Sequence, residues 1–302
     1  MEKVLIKKIA LLSGGDSEER DISIKSGLAV YQALKNLNYD VSLIDPMNTD
    51  LCTLVNYDAA FICLHGKNGE DGKIQSLLEL LKVPFTGSAS TASMIAMNKF
   101  YSKLVWSADA LKTPKFLILN KTNLEYKTII LHLSDPFIVK PSSSGSSFGI
   151  NLVKNKDDLI SAFADASKYD STVIAEEFIE GREFTVSILG DKSLGVLEIS
   201  PKNEFYDYNA KYVSNETVFS KPTDLNPAVL EKMENIALCA FTSIGCSGWG
   251  RVDFMMDKEF NLYLIEVNTV PGMTDHSLFP LAARNAGLNF EETVKHIVDL
   301  IE

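Results

Sequence analysis

Two short segments near the carboxyl end concentrate oxygen ligands. Residues 257–262 form a turn, and pairing 257 with 262 sets Asp253 opposite Glu266 and Arg251 opposite Asn268. Side chains alternate across a strand, so these four share one face, with Val252, Phe254, Ile265 and Val267 on the other. An arginine, two carboxylates and an amide oxygen suit a hard divalent cation bridged to phosphate oxygens. A solvated salt bridge is the competing reading. It is disfavoured because the same strands run into Gly248-Trp249-Gly250 and Pro271-Gly272.

Four further segments carry groups of the kind a nucleotide or a small zwitterion needs. Lys140 precedes Pro141-Ser142-Ser143-Ser144-Gly145-Ser146-Ser147-Phe148-Gly149, whose backbone N–H groups and hydroxyls can wrap phosphate while the lysine adds a point charge. The spacing is not that of a P-loop, and a flexible turn is an equal alternative. In Glu176-Glu177-Phe178-Ile179-Glu180-Gly181-Arg182-Glu183, acids flank an apolar pair, which suits adenine and ribose; a charged edge strand competes. Gly14-Gly15-Asp16-Ser17-Glu18-Glu19-Arg20 lacks the G-x-G-x-x-G spacing of a dinucleotide site. Glu19 and Arg20 can hold a substrate amine and carboxylate, or can serve only as the polar start of a helix. His65 opens a glycine-rich stretch through Gly72, but with 4 histidines and no adjacent cysteine ligands zinc is excluded as the leading reading. Ser277 follows His276 without a G-x-S-x-G elbow, so it is read as a binding hydroxyl.

The elements that must position these groups follow from hydrophobic spacing. Residues 7–13, 41–45 and 59–64 read as buried strands, with helices over 23–37 and around 74–81 between and after them, and a short strand at 83–85. Alternation of strand and helix implies a parallel sheet that binds ligands at its strands' carboxyl ends. A helix is expected over 91–105. Strands at 115–119, 136–140, 150–153 and 173–178 with a helix over 157–167 form a small α+β unit. Strands at 184–189 and 194–199 pair across 190–192. The stretch 202–222 is a long loop and the candidate lid. A helix opened by Pro227, strands at 250–256 and 262–268, and helices at 276–286 and 290–301 complete the chain. The division is 1–90, 91–180 and 181–302.

Composition bounds the rest. The 302 residues are 46% hydrophobic and 23% charged, which is globular rather than disordered. A net charge of −11 argues against nucleic acid or an anionic membrane as partner. No apolar run approaches the ~18 residues of a membrane span, and no signal-peptide pattern opens the chain. Cys52, Cys63, Cys239 and Cys246 form no C-x-x-C pair and are expected as buried thiols in a reducing compartment, so a cytoplasmic protein is expected.

Taken in order, these segments resemble the D-alanine–D-alanine ligases of the ATP-grasp fold. The resemblance rests on Gly14–Arg20, His65–Gly72, Lys140–Gly149, Tyr206-Asp207-Tyr208-Asn209-Ala210-Lys211-Tyr212, Gly248–Asp253 and Glu266-Val267-Asn268-Thr269-Val270-Pro271-Gly272-Met273-Thr274. It departs at Asn98, where the family usually has aspartate, and at Ser143-Ser144, where a charged pair is common. The resemblance implies mixed α/β and α+β architecture, with an N-terminal Rossmann-like parallel-sheet domain, a central small ATP-grasp domain and a C-terminal domain bearing the metal site. It implies ATP-dependent joining of two D-alanine molecules through an acyl phosphate for cell-wall peptidoglycan. Lys99 and Lys140 would contact ATP phosphates under the Ser146-Ser147 loop. Glu176, Glu177, Phe178, Ile179 and Glu183 would hold adenine and ribose, with Phe205, Met255 and Ile265 packing the base and Lys211 also reaching the nucleotide. Asp253, Glu266 and Asn268 would bind two magnesium ions, with manganese as substitute. Glu19 would bind the first D-alanine's amine and hydrogen-bond with Ser146 and Tyr212. Arg251 and the Gly272 backbone would stabilise oxyanion charge, Ser277 and Lys211 would bind the second carboxylate, and His65 would line the pocket. A homodimer is the family expectation. The alternatives are a ligase that joins D-alanine to D-lactate, which Tyr212 disfavours, and a nucleotide-binding module without turnover.

Overall fold

The computed structural model describes residues 6–200 and 217–301. Strands β1 (Lys8–Leu12), β2 (Asp40–Ile44) and β3 (Ala59–Ile62) form a parallel sheet in the order β2-β1-β3. Ile9 to Leu12 are wholly buried, as a central strand covered on both faces requires. Helix α1 (Arg20–Asn36) follows β1 and α2 (Lys73–Leu81) follows β3. The first of these starts three residues before the expected 23, because its opening turn is polar and gives no apolar signal. The strand order reverses between β1 and β3. The loops leaving those two strands therefore open on one crevice. They carry Glu19 and His65. The strand expected at 83–85 is a single parallel bridge from Ala60 to Phe85.

The helix expected over 91–105 is two helices, α3 (Ser90–Met97) and α4 (Lys99–Ala108). Asn98 breaks them with an extended backbone (φ −92°, ψ 99°), and its side chain caps α4 by accepting from the Tyr101 N–H. The break starts α4 at Lys99, whose own N–H donates to the Ser142 carbonyl at 2.8 Å. Apolar residues continue on either side of Asn98, so periodicity alone spans the break. A four-stranded antiparallel sheet follows, built from β4 (Phe116–Leu119), β5 (Phe137–Pro141), β6 (Asn151–Val153) and β7 (Val173–Glu177) in the order β4-β7-β5-β6. It includes α5 (Tyr126–His132), which was not expected, and α6 (Lys156–Ala166). Only Ile129 of α5 is buried, too little to leave a periodic face.

The third sheet runs β10-β9-β8-β11-β12, from β8 (Gly181–Leu189), β9 (Lys192–Ser200), β10 (Val218–Ser220), β11 (Trp249–Asp257) and β12 (Leu262–Asn268), all antiparallel. The end of the expected 202–222 loop is β10; residues 201–216 lie outside the described part. Helix α7 (Pro227–Ser243) packs on this sheet. Helices α8 (Leu278–Asn285) and α9 (Phe290–Asp299) return toward the first sheet, and Phe279, Val294 and Ile297 join the core of β1–β3.

The β11–β12 turn corrects the expected register. The Asp257 N–H bonds the Asn261 carbonyl, so 257 faces 261 rather than 262. Phe254 to Met256 pair with Leu264 to Leu262, whereas Asp253 still faces Glu266 and Arg251 still faces Asn268. A bulge absorbs the one-residue difference at Ile265. Val252, Phe254 and Val267 remain on the core face as expected, but Ile265 leaves it for the cavity between the second and third sheets. All four cysteines are free. Cys63 and Cys246 are buried, whereas Cys52 and Cys239 are exposed, against the expectation of buried thiols throughout.

Candidate active site

Two cavities meet under the loop of residues 142–149. One encloses about 600 Å³ between the first sheet's crevice and β12, and is walled by Glu19, His65, Arg251, Asn268, Gly272 and Ser277. The other, of about 800 Å³, lies between the second and third sheets, with Lys140, Glu176, Phe178, Glu183, Met255 and Ile265 in its walls. Glu177, Ile179 and Ser147 also line this second space. Lys99, Ser144 and Glu266 belong to both. The predicted groups thus fall into a small polar chamber and a longer half-apolar slot, joined at a lysine and a carboxylate. Phe205, Lys211 and Tyr212 lie outside the described residues.

The loop after β5 is pinned at its base rather than loose. Ser142 donates through its hydroxyl to Asn98 Oδ1 at 2.7 Å and accepts from the Phe100 N–H at 3.2 Å. The Asn98 amide donates to the Ser143 hydroxyl at 3.0 Å, and the Ser143 N–H to Asp170 at 2.7 Å. Beyond this base, Ser146 and Ser147 take left-handed backbone (φ 52° and 61°). Such conformations cost about 1 kcal/mol or more each and cluster at functional sites. Here the turn brings the Ser146 hydroxyl onto Glu19 Oε1, to which it donates. Glu19 precedes α1 and is buried in the small chamber. Gly66 passes so close that a Cβ there would stand 2.5 Å from Glu19 Oε2, which requires glycine at that left-handed position.

Arg20 does not face the chamber. Its guanidinium donates to the Gly15 carbonyl at 2.5 Å and to Asp45 Oδ2 at 2.6 Å. The Arg20 hydrogen bond holds the Asp45 carboxyl at about 2, against the effect of burial. This strap fixes the loop that presents Glu19, so the choice left open for Arg20 resolves toward structure.

His65 is held from both ring nitrogens. Nε2 lies 3.2 Å from the Ser26 hydroxyl, which accepts from the Met273 N–H at 3.1 Å. Nδ1 lies 3.4 Å from Glu70 Oε1. Burial works against the imidazolium, but Glu70 and then Glu19 outweigh it, and His65 is raised above its ordinary value. Burial also raises Glu70, with the Glu19 charge adding to the effect. Glu70 was missed in the sequence although it stands in the His65–Gly72 segment. Its five-residue spacing from the histidine matches no helix or strand rule.

At the junction, Lys99 Nζ donates to the Ser144 carbonyl at 2.8 Å and pairs with Glu266 Oε2 at 2.9 Å. Asp253 sits deeper, at 5% exposure, and lines neither cavity. Arg251 grips it through Nε at 2.9 Å and NH2 at 2.8 Å, and the Thr185 hydroxyl donates to Oδ1 at 2.6 Å. Among the described residues no group of three or more His, Cys, Asp and Glu is placed to hold a metal. Asp253, Glu266 and Asn268 nonetheless offer hard oxygen donors of the kind magnesium takes, and magnesium needs only one or two protein carboxylates. Lys99 and Arg251 now balance those two carboxylates. Asn268 Oδ1 accepts from the Val270 N–H at 3.0 Å, which turns its side chain along the strand end. Gly272 packs against Ser277, whose hydroxyl also meets the Thr274 N–H at 3.0 Å.

In the slot, Lys140 Nζ pairs with Glu176 Oε1 at 2.5 Å, and Lys103, a residue the sequence reading passed over, pairs with Oε2 at 2.9 Å. Burial opposes ionisation of Glu176, yet Lys103 and Lys140 carry its carboxyl down to about 2. The slot floor is Met255 and Ile265, and Glu183 lies at the start of β8 beside them.

Known proteins share this fold. Residues 105–299 match the profile of the D-ala D-ala ligase C-terminus and residues 46–88 that of its N-terminus. The D-alanine–D-alanine ligase B of Chromobacterium violaceum is 43% identical, over 97% of each chain. The crystal structure of the Bacillus anthracis D-alanine–D-alanine ligase complexed with ATP superposes with a TM-score of 0.86 at 32% identity, over 97% of each chain. The VanG D-Ala:D-Ser ligase of Enterococcus faecalis superposes with a TM-score of 0.86 at 28% identity, over 98% of this chain and 99% of that one. The fold is thus the ATP-grasp fold of these enzymes, and the chain belongs to the D-alanine–D-alanine ligase family.

Proposed function

We propose that the protein joins two D-alanine molecules at the expense of ATP, and that the reaction takes place where the slot meets the chamber. The observation that carries this reading is the pair of cavities that share Lys99, Ser144 and Glu266. A nucleotide in the slot delivers its terminal phosphate to that junction, and an amino acid beside Glu19 presents its carboxylate there.

A carboxylate is a poor electrophile, so the first D-alanine is activated by transfer of the γ-phosphoryl group to its carboxylate oxygen, releasing ADP. Glu19, oriented by Ser146, binds its ammonium group. Lys99 and Lys140 leave Glu266 and Glu176 for phosphate oxygens as the nucleotide enters. Adenine stacks among Phe178, Met255 and Ile265, and Glu183 accepts from the ribose. The second D-alanine is held through its carboxylate by Ser277, with Lys211 from outside the described residues. Its amine attacks the acyl carbon. The tetrahedral oxyanion forms beside Arg251 and the Gly272 N–H, and collapse expels phosphate and leaves the peptide bond. Arg251 is preorganised for this because Asp253 already fixes its fork from below. His65, with Glu70, closes the chamber wall. Asp253, Glu266 and Asn268 would hold two magnesium ions, or manganese in their place. Magnesium there would neutralise charge on the transferring phosphate. Exclusion of water protects the acyl phosphate, and the 202–222 segment is our candidate for the cover.

We place residues 1–90, 91–180 and 181–302 as the substrate-binding, nucleotide-clamping and metal-binding parts. We also place the protein in the cytoplasm, as a homodimer that supplies peptidoglycan synthesis. Among the described residues no helix is long and apolar enough to cross a membrane. A D-hydroxy acid as second substrate is the competing reading. Product analysis with D-alanine and D-lactate as acceptors separates the two. The central test is phosphate release with ATP, magnesium and D-alanine. Wild type should release phosphate only with all three, and Glu266→Gln should abolish release while its circular dichroism stays unchanged. Full activity in that variant would overturn the metal assignment.

A further inference from the structure

Lys103 lies outside every step described so far. It stands four residues after Lys99 on α4, so helical spacing puts both side chains on one face of the helix. Its side chain is wholly buried, at 0% exposure. Three groups surround its ammonium. Glu176 Oε2 lies at 2.9 Å. The Thr113 hydroxyl accepts from Nζ at 2.6 Å and itself donates to the Leu264 carbonyl at 2.8 Å. The Phe116 ring centroid is 5.7 Å away. A buried lysine with these anchors is held in place by β12 on one side and by the slot carboxylate on the other.

The charge count of this cluster is unusual. One buried carboxylate, Glu176, faces two ammonium groups, Lys103 on Oε2 and Lys140 on Oε1. A carboxylate with Lys140 as its only partner would be stranded once that lysine turned to a phosphate, and an unpaired buried charge is strongly unfavourable. The second cation removes that obstacle: Lys140 can leave and Glu176 stays neutralised. The geometry adds a second point. Lys103 Nζ lies 2.9 Å from Glu176 Oε2, but its approach is oblique and does not saturate the acceptor. Lys103 therefore supplies charge while leaving a lone pair open. Glu176 lines the slot, so a nucleobase there that carries an exocyclic amine can donate to this carboxylate.

We propose that Lys103 is a positioning residue for ATP: it keeps Glu176 ionised and aimed at the adenine amine after Lys140 has moved to the phosphates. This rests on the reading that the nucleotide occupies the slot lined by Glu176. Lys103 thus couples the helix that presents Lys99 to recognition of the base.

The test compares Lys103→Met, which keeps length and removes charge, with Lys103→Arg, which restores charge. The readouts are KM for ATP, KM for D-alanine, and the ratio of kcat/KM for ATP to that for ITP, whose base carries a carbonyl in place of the amine. Lys103→Met should raise KM for ATP by about tenfold or more, the loss expected for a weakened charged hydrogen bond. KM for D-alanine should move by less than about twofold, and the ATP-to-ITP ratio should fall with the ATP term. Lys103→Arg should recover part of both. A folded Lys103→Met enzyme with unchanged KM for ATP and an unchanged ratio overturns the proposal. Should that variant fail to fold, Thr113→Val removes the second anchor and keeps the charge. It should shift the same two quantities in the same direction, and no shift overturns the proposal equally. Glu176→Met, which removes every side-chain oxygen acceptor at this position, separates this from the underlying reading. An unchanged ratio in that variant would show that Glu176 does not face the base, which removes the slot assignment itself.

Discussion

Glu70 has no free choice of protonation partner. It is buried against His65, and both groups are raised above their ordinary values, so the pair retains a proton to higher pH than either would alone. For His65 the sign is definite. A raised value means that the imidazolium is favoured in the folded protein, that its contribution is complete at acidic pH, and that it fades as pH rises through the shifted value. Glu70→Gln removes the group that outweighs burial, so His65 should fall. The alkaline limb of kcat/KM for D-alanine should then move to lower pH, with KM for ATP little changed. A pH–rate profile measures this, and an alkaline limb that stays in place would mean that the histidine charge does not matter to D-alanine. The same reasoning separates Arg20 from Glu19. They are neighbours in sequence, but the turn directs one into the chamber and the other onto Asp45.

At the scale of elements, the site depends on where strands and helices stop. Asn98 ends α3, caps α4 and ties both Ser142 and Ser143 of the 142–149 loop. Asn98→Ala should lose a cap of about 1 kcal/mol and free the loop base at the same time. The urea midpoint should drop accordingly, while KM for ATP rises more than KM for D-alanine. A loss of stability without the KM shift would show that the loop is held by Asp170 and Lys99 alone. This element also marks the limit of what the sequence discloses. Strands β1, β3, β11 and β12 were legible because runs such as Ile9–Leu12 are apolar and sharply bounded. The break at Asn98 was not, since an extended residue inside two helical patterns leaves their spacing nearly intact. The pairing of Asp253 with Glu266 was legible from alternation. The bulge that moves Ile265 was not, because a turn of 257 to 261 and a turn of 257 to 262 differ only in one backbone hydrogen bond. Contacts between distant segments leave no local pattern: the Ser146–Glu19 hydrogen bond followed from the family resemblance alone, and Lys103 on Glu176 and Thr185 beneath Asp253 were not foreseen.

Across the whole molecule, the groups we assign to the reaction come from three sheets, so the proposed catalysis needs those sheets in fixed register with one another. Trp249 carries much of that burden. It begins β11 in the third sheet, yet it is 1% exposed within the core of the first. Its ring lies 6.2 Å from Phe61 of β3 and 5.0 Å from Phe279 of α8, the latter at 77° in an edge contact. Two and four residues later in sequence the same strand presents Arg251 and Asp253, so movement of the tryptophan moves the pair we assign to the oxyanion. Trp249→Ala should cost about 3–5 kcal/mol, the range for deleting a large buried aromatic side chain. It should also lower kcat in the surviving folded fraction. Trp249→Phe should cost much less. The indole Nε1 has no hydrogen-bond partner among the described residues, so the substitution removes a buried donor along with the second ring. Equilibrium urea unfolding, followed by tryptophan-independent far-ultraviolet dichroism and by activity, measures both. If the sheets are joined as described, the two signals fall together in wild type and Trp249→Phe. In Trp249→Ala activity should be lost at lower urea than secondary structure, because the first and third sheets then separate before either unfolds. Coincident loss of both signals in Trp249→Ala would mean that the remaining contacts of α8 and α9 suffice to hold the chamber closed.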